Sequence, residues 1–514
     1  MELNKEFSGV RCVAVDGVQT SGEYTLPDYQ GDVRKILYSS AEISEGGAYH
    51  SRDSLEVSGC VVYKIVYLDS EGKITPVSFT SDYEFSVRSE DDAYIDADVH
   101  TRIDSYGLRL MGPRRFSARC SIDSDVVLTE KREYKVDTAG ECRLETRSVP
   151  LAVAELRLYR SGEREMAEEL VSLEGAILDE VEVLLSGAEP VAVSLQKGDG
   201  TLSLRSQILV RALVKIGAEL PCMYEGVLDF SEIIAADGMG EDAALIPRVS
   251  ILSENVSLAA AENGVSVVAS VIAEGSVRAL CSGRLNVLTD CFSTAEEVSV
   301  TEGEFSYRKH LGSHIIDEKY AYTAPRSEVG AENVRNVLYE SARVKIEDKE
   351  TSDKTLNVSG MIHVSAIACE TSEEGAPAYV PLRFEAPFSI NVNFNSLIPH
   401  NSRADVVLSL EGVHIDLDGE ELRLSGNLVG AATVLCELRE PCVSSVALGE
   451  KYAPGEASLV SVYYPTAGES LFDVGKKFHV SPMDIARANE LSEAVVAGVG
   501  EALTSAGVGY LIIK

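Results

Sequence analysis

The sequence predicts a mainly β protein, with three β-sandwich-like repeats followed by a small C-terminal βααβ module. Three observations lead to this prediction. A segment with alternating apolar side chains recurs three times, turns rich in Gly, Asp and Ser separate the strand-like segments, and the pattern changes to two successive short helices after about residue 458. At 514 residues the chain is too long for one core, which agrees with several folded units.

The recurring segment has the period of two that is typical of a half-buried strand. It occurs as Ser54–Tyr67, Thr201–Val214 and Thr355–Ala368. Each copy is followed by a proline with apolar residues at fixed steps, and then by another strand-like segment. These later segments are Phe116–Ile122, Val265–Val271 and Leu422–Leu428. Because the order holds in all three copies, we interpret them as repeats of one design.

These matches divide the chain into five predicted regions. They are repeat 1 (1–150), repeat 2 (151–288), a strand-poor connector (289–330), repeat 3 (331–445) and a terminal module (458–514). Val33–Ile43 resembles Val334–Val344, at the same distance before the recurring segment. The middle repeat has no clear equivalent, so the sequence leaves its start open. Residues 28–38 are expected to be helical, with Asp32 as the N-cap.

The composition narrows the classes of function. The net charge is −36, and repulsion from phosphate groups makes nucleic acid a poor partner. The absence of Trp disfavours a large glycosidase cleft, and none of the ten cysteines forms a C-x-x-C pair. The first residues lack the apolar core of a signal peptide, and no apolar run approaches the ~20 residues that span a bilayer. We therefore expect a cytoplasmic protein without membrane insertion.

No motif in the sequence points to catalysis. His310 and His314 have metalloprotease spacing, but the residues between them are Leu, Gly and Ser, without the glutamate that would act as the base. Glycine pairs such as Gly198 and Gly200 lack the continuation of a phosphate-binding loop and are interpreted as turns. The sequence therefore predicts no catalytic residue, no cofactor and no metal.

The terminal module is predicted to be a strand (Leu459–Tyr464), two short helices (Ser470–Phe478 and Met483–Asn489) and a final strand (Tyr510–Ile513). Its turns are the candidate binding site of the chain. The candidate partner-binding or glycan-binding residues are Gly468, Glu469, Ser470, Leu471, Phe472, Asp473, Val480, Ser481 and Asn489. Leu471 is also expected to fill the core, and Glu469 and Ser470 to cap the first helix.

This pattern resembles the LysM family over about 55 residues, from the first strand through the Gly-Glu-Ser-Leu turn to Asn489 and the closing strand. In that family the loops after the first strand and before the last form a groove for N-acetylglucosamine chains, as in peptidoglycan. Here Phe472 stands where the family often has Trp, Gly475 replaces Ala, and the stretch from Asn489 to Leu511 is longer. The longer loop disfavours sugar binding.

Two short segments, Gly22-Glu-Tyr-Thr-Leu-Pro-Asp-Tyr29 and Asp32-Val33, resemble the opening of the SPOCS repeat of endospore-forming bacteria. Three such repeats with a terminal LysM domain are similar to the SipL type of spore coat morphogenetic proteins. The resemblance implies a non-enzymatic scaffold in the mother cell, at the forespore surface and spore coat. Its partners would be a coat-anchoring morphogenetic ATPase, docked through the LysM-like module, and other coat proteins.

Two other hypotheses remain open from the sequence. The first is a protein that binds peptidoglycan through the LysM-like module. The second is an enzyme, such as a cell-wall hydrolase that the module targets. Against the enzyme, every long segment belongs to a repeat or to the connector, and no unassigned region of roughly 120 residues remains for a catalytic domain.

Overall fold

The computed structural model describes residues 4–51, 54–88, 94–139, 143–371, 377–452, 460–491, 503 and 508–513. The described chain is mainly β, as the sequence predicts. Its strands fall into three units and a C-terminal module. Among the described residues, neither helix has the length and apolarity needed to cross a bilayer.

Each unit contains six long strands. Unit 1 comprises β1 (Lys5–Thr25), β2 (Val33–His50), β3 (Ser54–Asp69), β4 (Ile74–Arg88), β5 (Tyr94–Gly112) and β6 (Arg115–Tyr134), and is followed by the short strand β7 (Asp137–Ala139). Unit 2 comprises β8 (Leu144–Glu174), β9 (Val181–Lys197), β10 (Thr201–Ile216), β11 (Cys222–Ala235), β12 (Ala244–Ala261) and β13 (Gly264–Ser293), with a 3₁₀ turn at Leu178–Glu180. Unit 3 comprises β14 (Glu296–Pro325), β15 (Val334–Ser352), β16 (Thr355–Thr371), β17 (Pro377–Asn393), β18 (Ser402–Asp418) and β19 (Glu421–Lys451).

All three units have the same strand topology. The second, third and fourth strands form an antiparallel meander sheet, and the sixth strand lies between the first and fifth in an antiparallel flanking sheet. The two sheets of each unit enclose an apolar core. Representative core residues are Val61, Tyr63 and Ile122 in unit 1, Leu202, Ile208 and Phe230 in unit 2, and Leu356, Ile362 and Phe388 in unit 3.

Alternation along the third strand of each unit explains this packing. In β10, Leu202, Leu204, Ile208 and Val210 are buried, while most residues between them are exposed or half-buried. Side chains alternate between the faces of a strand, so one face of the sheet supplies the core. Each such Leu, Ile or Val contributes about 1.5–3 kcal/mol when fully buried. The alternation therefore fixes both the strand and its register.

The expectation that residues 289–330 form a strand-poor connector is wrong. They contain the end of β13 and all of β14, which is the first strand of unit 3 and pairs with β19. Only three of the 30 residues of β14 are buried, namely Tyr307, Ile316 and Ala324. β14 is an edge strand whose apolar residues are mostly half-buried and alternate only in short runs, such as Val298 and Val300 or Tyr320 and Tyr322, so its strand signal in the sequence is weak. By the same topology, β8 is the first strand of unit 2.

The expected helix at residues 28–38 is also absent. Pro27 and Gln30 form a turn, with the Gln30 N–H donating to the Pro27 carbonyl at 3.0 Å, and β2 begins at Val33. The register of β2 against β3 shifts between Ile36 and Tyr38, so Leu37 lies in a β-bulge. The bulge buries the adjacent Leu37 and Tyr38 together, and this breaks the period of two that would have indicated a strand.

The same bulge occurs in all three units and builds a cluster that they share. Leu184 in β9 and Leu338 in β15 lie at register shifts that correspond to the one at Leu37. One buried cluster, here named the shared cluster, takes three residues from each unit. They are the bulge residue, the next residue in the chain, and the residue on the third strand that pairs with that next residue. Its equivalent members are Leu37, Tyr38 and Val66 in unit 1, Leu184, Leu185 and Leu213 in unit 2, and Leu338, Tyr339 and Ile367 in unit 3.

The three units also meet at a largely buried ion bridge. Arg278 of unit 2 pairs with Asp98 of unit 1 and, at 2.6 Å, with Asp405 of unit 3. Burial raises the pKa of Asp98, but the attraction of Arg278 and Arg248, together with the hydrogen bond from Arg278, outweighs it, so the net shift is downward. Each unit packs against both of the others. The short strand β7, which follows unit 1, also pairs in parallel with β19 of unit 3. The units therefore form one closed body.

His100 at this junction predicts a pH dependence of stability. Burial lowers the pKa of His100 to about 4, with a further lowering by Arg248 that Asp405 and Asp98 oppose. The unfolded chain, with a histidine pKa of about 6.5, binds this proton first. Stability from neutral His100 is therefore fully present above pH 6.5 and is lost as the pH falls towards 4, by up to about 3 kcal/mol.

The measurement is urea unfolding of the intact chain and of His100→Asn at pH 7 and pH 4.5. The loss of unfolding free energy between the two pH values is expected to be smaller in the variant. Equal losses in both proteins would show that His100 is not the group that titrates.

Candidate functional site

The candidate site lies in the C-terminal module, which consists of β20 (Ser461–Tyr463), α1 (Leu471–Phe478), α2 (Pro482–Ala488) and β21 (Leu511–Ile513). β20 and β21 pair in antiparallel fashion. The two helices cover one face of this ribbon, and the core between them is apolar. Its buried residues are Leu471, Val474, Ile485, Ala486, Leu503, Leu511 and Ile513. Leu471 therefore fills the core, as expected.

Ser470 and Asp473 begin helix α1 with a capping box. The Ser470 N–H donates to Asp473 Oδ2 at 2.9 Å, and the Asp473 N–H donates to Ser470 Oγ at 3.3 Å. Burial alone raises the pKa of Asp473, but hydrogen bonds from Ser470 and Arg147 outweigh it and lower the pKa overall. The predicted cap at Ser470 is therefore present, with Asp473 as the second member of the box.

Glu469 organises the preceding turn instead of capping the helix with Ser470. Its carboxylate accepts the Thr466 N–H at 2.7 Å and the Tyr463 hydroxyl at 2.9 Å. The Thr466 hydrogen bond is the main reason that the pKa of Glu469 is lowered. Gly468 has a φ of +93°, in the left-handed region where a side chain would be strained. These two residues fix the path of the turn.

The other predicted residues hold the module together. The Asn489 amide donates to the carbonyls of Ile485 and Ile512 at 2.8 Å, and its oxygen accepts the Ile512 N–H at 2.7 Å. Asn489 therefore ties the end of α2 to β21. Ser481 is buried just before α2, and Val480 packs against the module core. These groups are engaged within the module.

Phe472 and Asp473 contact unit 2 rather than open solvent. The ring of Phe472 meets Phe292 of β13 edge-on at 5.1 Å between centroids, and the Arg147 guanidinium of β8 lies 4.4 Å from the Phe472 centroid. Arg147 also donates to Ser470 Oγ at 3.0 Å and pairs with Asp473. These groups, with the ion pair described next, are here named the docking contact.

A second ion pair completes the docking contact. Lys476 Nζ lies 2.7 Å from the Asp290 carboxylate of β13. Gly475 faces the same neighbour, because a Cβ added there would lie 3.1 Å from the Phe292 ring and 2.7 Å from the Val480 carbonyl. The glycine that departs from the LysM pattern thus permits the close approach of α1 to β13. Sequence reasoning missed Arg147, Asp290 and Phe292, because no local pattern links them to the module.

One face of the module ribbon remains open. Tyr463 packs inward on Phe478, so the residues that alternate with it point away from the helices. Val460, Val462 and Tyr464 are 60%, 56% and 69% exposed, and Tyr510, beside Tyr464, is 55% exposed. The rings of Tyr464 and Tyr510 lie 6.4 Å apart. We name these four residues the ribbon face. The long loop before β21 lies mostly in 492–502 and 504–507, outside the described residues.

The histidines give no catalytic or metal-binding geometry in the described chain. His310 Nε2 lies 2.9 Å from Ser313 Oγ on β14, and burial lowers its pKa. His363 Nδ1 lies 3.0 Å from the Glu385 carboxylate, and a histidine and a carboxylate in contact are two of the three members of a catalytic triad. Its buried Nε2, however, has no hydrogen-bond partner among the described residues, whereas a triad needs a hydroxyl there. No group of three or more His, Cys, Asp or Glu with metal-site geometry occurs in the described ranges.

Comparisons with protein-family models, with curated proteins and with solved structures found no match for this chain.

Proposed function

We propose that this chain is a non-enzymatic scaffold of the bacterial spore envelope, acting in the mother cell at the forespore surface and spore coat. In this proposal the three units are SPOCS repeats, and the C-terminal module is a LysM-like head that docks a coat-anchoring ATPase. Other coat proteins would assemble on the same body. The sequence resemblance supports the assignment, as do three copies of one topology followed by a strand–helix–helix–strand module.

The observation that carries the proposal is the ribbon face. Contiguous exposed apolar groups on a folded surface are typical of protein interaction sites. Tyr464 and Tyr510 have the amphipathic rings that are enriched at the centres of such interfaces. The docking contact on α1 occupies Phe472 and Asp473, which the sequence offered as binding residues. The partner therefore binds the ribbon face rather than the first helix.

A non-enzymatic role agrees with how the three units are filled. Each has apolar side chains packed through the space between its sheets. A reaction centre in such a core would require ionisable groups held away from water, at a high cost in free energy. The units are therefore suited to rigid spacing and surface display.

Peptidoglycan binding is the second candidate function, and one observation favours it. The exposed rings of Tyr464 and Tyr510 lie side by side where the long loop ends and β21 begins. Aromatic faces of this kind stack on sugar rings. Titration of chito-oligosaccharides into the full chain distinguishes the two functions, because saturable binding that Tyr464→Ser removes would favour the glycan.

The test of the favoured function is affinity capture from sporulating cells with the intact chain, a chain lacking 458–514, and the double variant Tyr464→Ser/Tyr510→Ser. We expect the intact chain to capture the coat ATPase and both altered chains to lose at least tenfold of it. The matched control is Tyr49→Ser, since Tyr49 of unit 1 is 67% exposed. Undiminished capture of the ATPase by the chain lacking 458–514 would contradict the proposal.

A further inference from the structure

A large cleft opens where unit 3 meets unit 1. Its volume is about 1260 Å³, and both units line it. Unit 1 contributes the Ser39–Glu42 and Asp104–Leu108 segments, and unit 3 contributes residues of β15, β16 and β17. Pockets for drug-sized ligands usually span about 300–1,000 Å³. The cleft is therefore large enough for an extended segment of chain.

Units 1 and 2 each have a cation on the third strand at the position that faces this cleft in unit 3. Lys64, Arg211 and Ser365 are equivalent, since each lies two residues before a member of the shared cluster on the third strand of its unit. Lys64 of unit 1 pairs with Glu254 of unit 2 and donates to the Ser186 carbonyl at 3.0 Å. Ser365 cannot make such a bridge to unit 1.

The second strands of the units show the reverse exchange of charge. Glu42, Glu189 and Arg343 are equivalent, four residues after the shared-cluster members Tyr38, Leu185 and Tyr339. Glu42 lies 2.8 Å from Lys64, and Glu189 lies 3.8 Å from Arg211. Unit 3 thus has Arg343 where the other units have a carboxylate, and Ser365 where they have a cation.

This exchange leaves two guanidinium groups without a carboxylate. In the described part of the chain, Arg343 donates only to the backbone carbonyls of Ile103 and Asp104, and Arg383 donates to Ser39 Oγ at 3.0 Å. Neither forms an ion pair among the described residues, although the chain has 82 acidic side chains. Burial lowers the pKa of Arg343, and the opposing attraction of Tyr106, Cys120 and Asp104 does not offset it.

We propose that this cleft binds an extended acidic segment of a partner protein, with Arg343 and Arg383 pairing with its carboxylates. The two arginines lie two strands apart on β15 and β17 and are offset by two residues in register, which places their Cα atoms about 12 Å apart. They therefore suit two carboxylates on one extended segment. Guanidinium forks bind carboxylates bidentately. Leu108, Val329 and Pro381 supply apolar walls for the remaining side chains. The site is separate from the ribbon face, so it stands or falls independently of the proposed docking of the ATPase.

The test is fluorescence anisotropy of the full chain with a labelled octapeptide of alternating Glu and Ser, and with the same peptide carrying Gln for Glu. We expect saturable binding of the Glu peptide, at least tenfold weaker binding of the Gln peptide, and weakening by salt. Arg343→Gln/Arg383→Gln should weaken the Glu peptide at least tenfold. The control Arg284→Gln, an exposed arginine on β13, should not.

Three results with the peptides would overturn the proposal. They are no saturable binding of the Glu peptide, equal binding of both peptides, and unchanged binding by the double variant. Tighter binding of citrate than of the peptide would also overturn it, because the site would then belong to a small anion. If the double variant does not fold, Arg383→Lys replaces it, since it keeps the charge but loses the bidentate fork. It should weaken binding severalfold.

Discussion

Replacing Arg278 with alanine is expected to lower the free energy of unfolding by about 3–5 kcal/mol. Arg278 bridges Asp98 of unit 1 and Asp405 of unit 3, and both carboxylates are largely shielded from water. Removal of the arginine leaves two largely buried carboxylates without the cation that bridges them. The cost is therefore larger than that of an exposed salt bridge, which is about 0–1 kcal/mol. Urea unfolding at pH 7 measures the change.

Arg284→Ala is the matched control for this prediction. Arg284 lies on the same strand, β13, and is exposed, so its loss is expected to change stability by less than about 0.5 kcal/mol. A similar, small effect of both substitutions would mean that the Arg278 bridge does not hold the units together. A further variant that also replaces Asp98 and Asp405 with Asn should regain part of the loss, because no unpaired charge remains.

The double variant Arg147→Ala/Lys476→Ala is expected to release the C-terminal module from unit 2. Arg147 makes a cation–π contact with Phe472 and charge-assisted hydrogen bonds to the start of α1, and Lys476 pairs with Asp290. These groups are part-exposed, so we expect a loss of about 2 kcal/mol in docking, or about thirtyfold in its equilibrium constant. Hydroxyl-radical footprinting should then modify Phe292 and Phe472 several times faster.

Arg487→Ala is the control for module release. Among the residues that the structure describes, Arg487 pairs only with Asp484 of the same helix, and both side chains are mostly exposed. Its replacement should leave the footprints of Phe292 and Phe472 unchanged. Slow, unaltered modification of both rings in the double variant would show that the contact between Phe292 and Phe472 is sufficient for docking, or that the two ion pairs contribute nothing.

The strands with one buried face could be predicted from the sequence, because alternation is a local signal. β3, β10 and β16 begin at Ser54, Thr201 and Thr355, where the pattern with a period of two begins. β14 could not, because its pairing with β19 buries few side chains. At β2 the bulge at Leu37 disturbed the alternation and led to the incorrect expectation of a helix.

In the candidate site, only the features that depend on residues close together in the sequence could be predicted. The Ser470 cap and the core position of Leu471 follow from short-range rules of helix formation. The engagement of Phe472 by Arg147 joins residues more than 300 positions apart, and no single-sequence pattern encodes such a distance. The cleft could not be predicted either, because the difference between Arg343 or Ser365 and the equivalent residues of the other units is recognised only after the units are aligned by strand register.

The closed body also changes what the repeats can be expected to do. Since the shared cluster takes three residues from each unit, loss of any one unit exposes apolar surface on the other two. The repeats are therefore not independent spacers along a string. Their relative positions are fixed, so the surfaces that the units present lie at defined distances from one another.

Native-state amide hydrogen exchange of the intact chain tests this central claim most directly. The buried third strands β3, β10 and β16 belong to different units but to one packed body. Their slowest amides should report the same free energy of opening, equal to that of global unfolding, and Leu213→Ala in the shared cluster should lower all three together by about 2–5 kcal/mol. Three separate free energies, with Leu213→Ala affecting β10 alone, would contradict the account.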